Sequence, residues 1–457
     1  MYKISVLGKK FYPLEIKFIV ENETINEPVL FIWEDDVTKN IKFIDKIDLS
    51  SGIEYFSTIN KNIDFFVNAI NFKIVLLKNY ECIFTYKFRN LSFLNGKYVL
   101  YISQNSYTGY SQAARNYIYQ LLNSDFIVSW DTRFTMKNFY NQSNQYEKTV
   151  FDCLNRNFKK YDTIIIHHTP EAWEPLYKQF KTENNKIYGL TTWETTKLHT
   201  DWVNYINKGA DEVIVPSKFN IETFKNSGVY KKVNLWYHEI FPFSNIEINE
   251  SELFEKFFLY KNGLFINEKN SIESIIKNNT VYYNISQFSN RKNIEQVIDV
   301  FYKRFSEQDN VCLFIKTHLE NFSEKETLAL QYKFHNIIKK FNKNLNIIFC
   351  FEDLNTEQIN YIHKLSDVYF TLNRGEGFGL CTYTAKQIGN KIICGKFGAE
   401  REFLDDGDVL LDYELGSADN LDDFNKHYIG NGQKCAFYDT DYVISKVPFF
   451  EKVNKTL

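Results

Sequence analysis

No apolar run in this chain approaches the roughly 18 residues of a membrane span, and its N-terminus lacks the basic-then-apolar pattern of a secretory leader. A soluble, cytoplasmic protein is therefore expected. The seven cysteines are odd in number and show no paired spacing. They argue against a disulfide framework and for a reducing compartment, with Cys381 and Cys394 read as small buried residues. The net charge of −3 gives no electrostatic case for nucleic acid or an anionic membrane, although a local basic patch would vanish in that sum. No aspartate-pair metal motif is evident, so no metal is expected. What remains is a chain of 457 residues, long enough for two or three domains with substantial cores. Its excess of Asn, Lys, Ile, Phe and Tyr carries no chemical message.

Residues 1–95 have the texture of an all-β unit. Short runs such as Leu14–Val20, Val29–Trp33, Ile41–Ile44 and Phe72–Leu77 are separated by Asn, Asp, Gly and Pro signals. A regular α/β pattern begins at Tyr98–Ser103, a strand followed by Tyr107-Thr108-Gly109-Tyr110-Ser111 and a helical stretch from Gln112 to Leu122. A glycine turn after the first strand of an α/β domain lies where ligands of open parallel sheets collect. It lacks the full dinucleotide fingerprint, which leaves nicotinamide binding without support. Arg115 either points at that cleft or lies on the surface. The apolar strand Tyr161–Ile166 ends in His167-His168 and is halted by Pro170. Alternation along a strand lets at most one of the two histidines enter the cleft, and no further ligands at supporting spacing make them a metal site. A hydrogen-bonded histidine at a strand end and an acceptor contact or proton relay both fit. Farther on, Trp193-Glu194 offers an aromatic face and a carboxylate that together can hold a sugar, or a packed indole beside a solvated Glu. Asp211 reads as structural, and Ser217 as a helix N-cap.

From about residue 241 to 280 the periodicity is poor, as in an interdomain connection with a small insertion. A second α/β unit then starts at Val281–Ser286, and Arg291-Lys292 stand before the helix from Ile294 to Phe305. Charge from Lys292, forked donors from Arg291 and nearby helix amides suit a diphosphate; solvated surface charges are the alternative. Lys316 closes the next strand, Val311–Thr317, and Asn346–Phe351 is another. The chain is organised around Asn373-Arg374-Gly375-Glu376-Gly377-Phe378-Gly379-Leu380, between the strand Asp367–Leu372 and a short helix closed by Gly389. Glycines let backbone approach a ligand, and the first amides of a helix have no partner within it, so they can bind an anion. A carboxylate there would repel phosphate, which suits Glu376 to a sugar hydroxyl beside it. A tight turn with a solvated Glu is the bland reading.

The stretch from Asp367 to Leu380, with Gly389–Ile393 and Gly398–Gly407 after it, resembles the donor-site half of a GT-B glycosyltransferase, close to the retaining family 4 (group 1) enzymes. The resemblance covers roughly residues 97–412 and is absent from the first 95. It implies an α/β protein of GT-B type: a Rossmann-like domain over 96–240 on the acceptor side, a connection over 241–280, and a Rossmann-like donor domain over 281–425. A β-rich accessory domain precedes them at 1–95, and a tail over 426–457 returns to the first domain. It implies catalytic roles for Glu376, Arg291 and Lys292, and donor contacts from Gly377, Phe378, Gly379, Leu380, Thr384, Lys316 and Gly109. His167, Trp193, Glu194 and Tyr110 become candidates for the acceptor or reaction centre. The co-substrate would be a nucleotide-sugar such as a UDP- or GDP-sugar, used without metal or other cofactor. The acceptor stays open among glycan, lipid-linked saccharide, protein and modified nucleic acid. The family pairs its Glu with a second after seven intervening residues, where this chain has Thr384. It also places an Arg where this chain has Gln287. A nucleotide-sugar epimerase or phosphorylase on the same fold, or a catalytically silent sugar-binding protein, are the alternatives.

Overall fold

The computed structural model describes the backbone of seven strands between Ile4 and Arg89, and residues 91–134, 154–239 and 248–452 apart from 422–425 and a few single positions. Tyr107, residues 241–247 of the expected connection and the last five residues of the tail lie outside the described residues. The first seven strands are β1 (Ile4–Phe11), β2 (Leu14–Val20), β3 (Ile25–Asp35), β4 (Ile41–Leu49), β5 (Glu54–Ile59), β6 (Asn71–Lys78) and β7 (Glu81–Arg89). They form two antiparallel sheets, β1-β2-β5 and β4-β3-β6-β7.

A first α/β domain follows. Its strands β8 (Tyr98–Ser103), β9 (Ile127–Asp131), β10 (Thr163–His167), β11 (Lys186–Leu190), β12 (Glu212–Val215) and β13 (Val233–Leu235) form one parallel sheet in the order β13-β12-β11-β10-β8-β9. Helices α1 (Gly109–Leu122), α2 (Trp173–Phe180), α3 (Thr200–Gly209) and α4 (Lys218–Asn226) connect them. A parallel strand covered on both faces must be apolar throughout, and every residue of β10 is buried. Ser217 caps α4, its hydroxyl accepting from Asn220 N at 3.2 Å. Asp211 accepts from Lys181 Nζ at 2.6 Å and Ile187 N at 2.8 Å, an ion pair that pins β11 away from the cleft. The chain runs from β8 outward to β9 and then crosses back to β10, so a crevice opens at the carboxyl ends of β8 and β10.

The second domain repeats the scheme with strands β14 (Phe257–Lys261), β15 (Leu264–Ile266), β16 (Thr280–Ile285), β17 (Val311–Lys316), β18 (Asn346–Cys350), β19 (Val368–Phe370), β20 (Lys391–Gly395) and β21 (Val409–Leu411). Their order is β15-β14-β18-β17-β16-β19-β20-β21. Strands β16 to β21 are parallel, and β14 runs antiparallel to β18. The helices are α5 (Glu250–Phe254), α6 (Lys269–Asn278), α7 (Ile294–Arg304), α8 (Glu324–Ile338), α9 (Thr356–Leu365), α10 (Leu380–Ile388) and α11 (Thr440–Lys446). Two apolar layers sandwich the sheet. Leu313, Ile315 and Phe349 face α7 and α8 through Ile298, Phe301 and Phe334, whereas Phe314 and Ile348 belong to the opposite layer with Ile276 and Ile362. The order reverses between β16 and β19, which places the second crevice there.

Within the stretch read as a connection, β14 and β15 form a hairpin on the edge of this sheet, flanked by α5 and α6. Farther along, Tyr428 packs on Trp202 and Gln433 meets Thr195, so this segment touches the first domain. Residues Val443 and Val447 belong to the second core, and Tyr282 donates to Pro448 O at 2.7 Å. Among the described residues no helix is long and apolar enough to cross a membrane. The two domains meet across their carboxyl edges, where Ser217 and Asn220 of the first donate to Gly377 O of the second.

Candidate active site

The glycine-bracketed turn sits in the second crevice. Gly379 takes a left-handed conformation (φ 84°) as N-cap of α10, and no side chain caps that helix. Its first amides therefore face the cleft without a side-chain partner. Lys292 forms an ion pair with Glu376. Arg291 lies 3.5 Å from the same carboxylate, 3.8 Å from Glu194 of the first domain, and donates to Gly375 O at 2.9 Å. Four charges from three segments thus meet where both crevices open, with Arg291 only 9% exposed.

The glycines also let the two domains touch. A Cβ on Gly375 would lie 2.1 Å from Glu194 O, and one on Gly377 would lie 1.9 Å from Thr192 Oγ1. Gly377 O accepts from Ser217 Oγ at 2.8 Å and Asn220 Nδ2 at 3.0 Å. Phe378 is buried against His238 and Phe403, and with Tyr237 and Tyr383 it forms an aromatic layer between the domains. Leu380 packs beside both this layer and the first core. The side chain of Phe378 and the bare Cα atoms of Gly375 and Gly377 therefore serve domain contact, leaving the Gly379–Leu380 backbone turned to the cleft. Thr384 is half-buried on the next turn of α10. Lys316 is buried at the end of β17, its ammonium 4.7 Å over the ring of Phe322.

On the opposite side, Gly109 is the exposed first residue of α1. Tyr110 donates to Thr191 Oγ1 at 3.1 Å and lies 4.4 Å, ring to ring, from His167. His167 is buried at the end of β10 and shares a 2.7 Å hydrogen bond with Tyr101. Burial, then neighbouring His238, hold its imidazole well below the usual range, so it is neutral. Trp193 is a core side chain: its indole packs on Trp202 at 4.4 Å and donates to Thr195 Oγ1 and Lys197 O. That places its ring away from the sugar-holding role, whereas Glu194 next to it does face the charged cluster. Arg115 braces the loop after β8 by donating to Asn105 Oδ1 and Ser106 O, both at 2.7 Å. Among the described residues no group of three or more His, Cys, Asp or Glu side chains could hold a metal ion.

Residues 265–424 match the family described as glycosyl transferases group 1. The match takes in β16 to β21 and the glycine turn, and lies within the second domain. No curated protein matches the sequence. Solved structures similar in shape include HepE of Anabaena in complex with UDP and glucose, at 15% identity and a TM-score of 0.47, covering 69% of this chain and 86% of that one. Another is a UDP-forming α,α-trehalose-phosphate synthase of Burkholderia xenovorans with glucose-6-phosphate, at 10% identity and a TM-score of 0.47, covering 69% and 88%.

The site also holds Glu400 and His238, to which sequence reasoning gave no role, and Glu402, which it read only as an acidic position kept by the resemblance. Glu400 is fully buried behind the turn, accepting from Asn373 Nδ2 at 2.8 Å and from Thr382 Oγ1. Burial and nearby Glu376 push its carboxyl up to about 7. Glu402 accepts from Lys218 N and Phe219 N at 3.0 and 2.8 Å, so a carboxylate of the second domain caps α4 of the first. His238, at the carboxyl end of β13, is buried between Tyr117 and Phe378, and burial lowers its imidazole to about 3. Its place three residues beyond β13 (Val233–Leu235) was the one available signal.

Proposed function

We propose that this chain is a retaining, metal-independent glycosyltransferase that moves a sugar from a nucleotide-diphosphate sugar to an acceptor entering from the first domain. The observation that carries the reading is the charged cluster at the second crevice: Arg291 and Lys292 beside Glu376, next to a helix N-terminus that no side chain caps. Transfer passes through an oxocarbenium-like state while the departing diphosphate gathers charge. Lys292, Arg291 and the amides at the start of α10 stabilise that charge, the work a metal ion does elsewhere. Glu376, oriented by Lys292, accepts from a sugar hydroxyl and fixes the ring over the acceptor. Glu194 faces the same space from the first domain and takes an acceptor hydroxyl, with neutral His167 behind Tyr110 completing the acceptor side. Thr384 offers the donor's ribose a single hydroxyl.

A panel of nucleotide-sugars incubated with the protein, with and without candidate acceptors, tests this. One donor should be consumed with release of its nucleoside diphosphate, and consumption should persist in excess chelator. Rearrangement of the sugar without release, or turnover that stops with chelator and returns with magnesium or manganese, contradicts it.

A further inference from the structure

Glu194 and Glu376 stand on loops of different domains, and one strand reaches both loops. Between β21 and α11 lies an antiparallel pair outside the eight-stranded sheet, β22 (Glu414–Ser417) with β23 (Lys434–Phe437). At its first-domain end, buried Gln433 accepts at Oε1 from Thr195 Oγ1 at 2.7 Å. Lys434 O accepts from Thr196 N at 3.0 Å, and Lys434 N donates to Thr196 Oγ1 at 2.9 Å. These bonds hold the two residues that follow Glu194. At its second-domain end, Ala436 N donates to Arg374 O at 2.8 Å and the Tyr438 hydroxyl donates to Asn373 O at 2.7 Å. Both carbonyls belong to the turn that carries Glu376, and Arg374 N in turn donates to Arg291 O at 2.7 Å.

Each anchor is fixed in its own right. Gln433 Nε2 donates to Tyr428 O at 2.6 Å, so the amide is bonded through both its oxygen and its nitrogen and cannot swing away without leaving buried polar groups unpaired. A Cβ on Gly395 would collide with the Tyr438 hydroxyl, and one on Gly416 with the Phe437 ring, so two bare glycines keep the space that the aromatic end of β23 fills. An extended strand rises by about 3.3 Å per residue, and pairing with β22 keeps β23 extended. Anchored at both ends, such a strand fixes a distance. We propose that β23 is the spacer that sets the Glu194 loop against the glycine turn, with Gln433 a positioning residue for the side of the sugar acceptor and Tyr438 one for the side of the donor. This rests on the glycosyltransferase reading above, in which Glu194 takes a hydroxyl of the acceptor and Glu376 one of the donor sugar.

Three measurements on the intact chain, Gln433→Met and Tyr438→Phe test it: amide hydrogen exchange without ligand, calorimetric titration of UDP, GDP and ADP, and the rate of nucleoside diphosphate release in the nucleotide-sugar panel. Gln433→Met should speed exchange over residues 191–197 and slow release, with nucleotide affinity unchanged. Tyr438→Phe should speed exchange over residues 373–380 and weaken nucleotide binding by roughly tenfold or less, the scale of one neutral hydrogen bond. The separation of rate from affinity between the two variants is what a general loosening of the fold would not give. The same pattern in both variants, or exchange and release that match wild type in both, overturns the spacer alone. Failure of the wild-type chain to bind any of the three nucleotides overturns the donor reading and this inference with it. Should Gln433→Met not fold, Thr196→Val, which removes the side-chain partner of Lys434 N, takes its place in the same comparison.

Discussion

Glu376 is held by Lys292 and Arg291, so the two cations assigned to the diphosphate spend part of their charge on a carboxylate of their own domain. That pairing keeps a half-buried carboxylate tolerable before the donor arrives. Glu400, directly behind, forms no ion pair among the described residues and responds by holding a proton: burial and Glu376 raise its carboxyl from the ordinary 4.5 to about 7, against a smaller opposing pull from Lys292. Between those values the native state retains a proton that the unfolded chain has released. The unfolded state then binds fewer protons, and stability falls as pH rises from about 4.5 to about 7, with no further slope above. Glu400→Gln keeps the shape without the titration, so its unfolding free energy should be flatter over this window by on the order of 3 kcal/mol. Chemical denaturation at about pH 5 and pH 8 measures this, and parallel pH dependences for the two proteins would contradict it. The cations and Glu376 were legible in the sequence because they flank recognisable strand and helix starts. The core position of Trp193 was not, because an indole before a carboxylate reads the same whether its ring faces a sugar or Trp202.

The glycine turn shows what a spacing pattern leaves open at the scale of the element. Its strand, its position before α10 and the helix end at Gly389 (φ 87°) follow from apolar runs and from the freedom of glycine. The identity of the approaching body does not, and for Gly375 and Gly377 it is the backbone or side chain of Thr192–Glu194. Gly375→Ala forces a Cβ against a carbonyl of the other domain and should cost about 1–3 kcal/mol or more, as overpacking does, with loss of transfer. Gly389→Ala meets open space and should cost only about 1 kcal/mol of backbone strain. Urea unfolding of the two variants compares them directly; equal losses would mean the turn does not need that closeness. The β14–β15 hairpin offers the opposite lesson. Asn262 and Gly263 both have positive φ, 52° and 82°, and Asn-Gly between apolar runs is a strong hairpin signal. It went unread because the surrounding charged and polar residues obscured the periodicity.

Across the whole molecule, the resemblance read from the sequence extends to both sheets because buried parallel strands announce themselves as apolar runs. The contacts that lock the domains were invisible, since each joins residues far apart in the chain. Glu402 caps α4, Ser217 and Asn220 hold Gly377 O, and Thr356 Oγ1 donates to Gln112 Oε1 at 2.8 Å. These polar clamps set the separation between Glu194 and Glu376, and so between acceptor and donor in the proposed reaction. The most direct measurement of that account is the rate of nucleoside diphosphate release from the donor, compared among wild type, Glu376→Ala and Thr384→Ala. Wild type should turn over, Glu376→Ala should be silent, and Thr384→Ala should retain turnover with nucleotide affinity weakened by roughly tenfold or less, the scale of one neutral hydrogen bond. Near-normal release by Glu376→Ala, or a greater loss in Thr384→Ala than in Glu376→Ala, would contradict it.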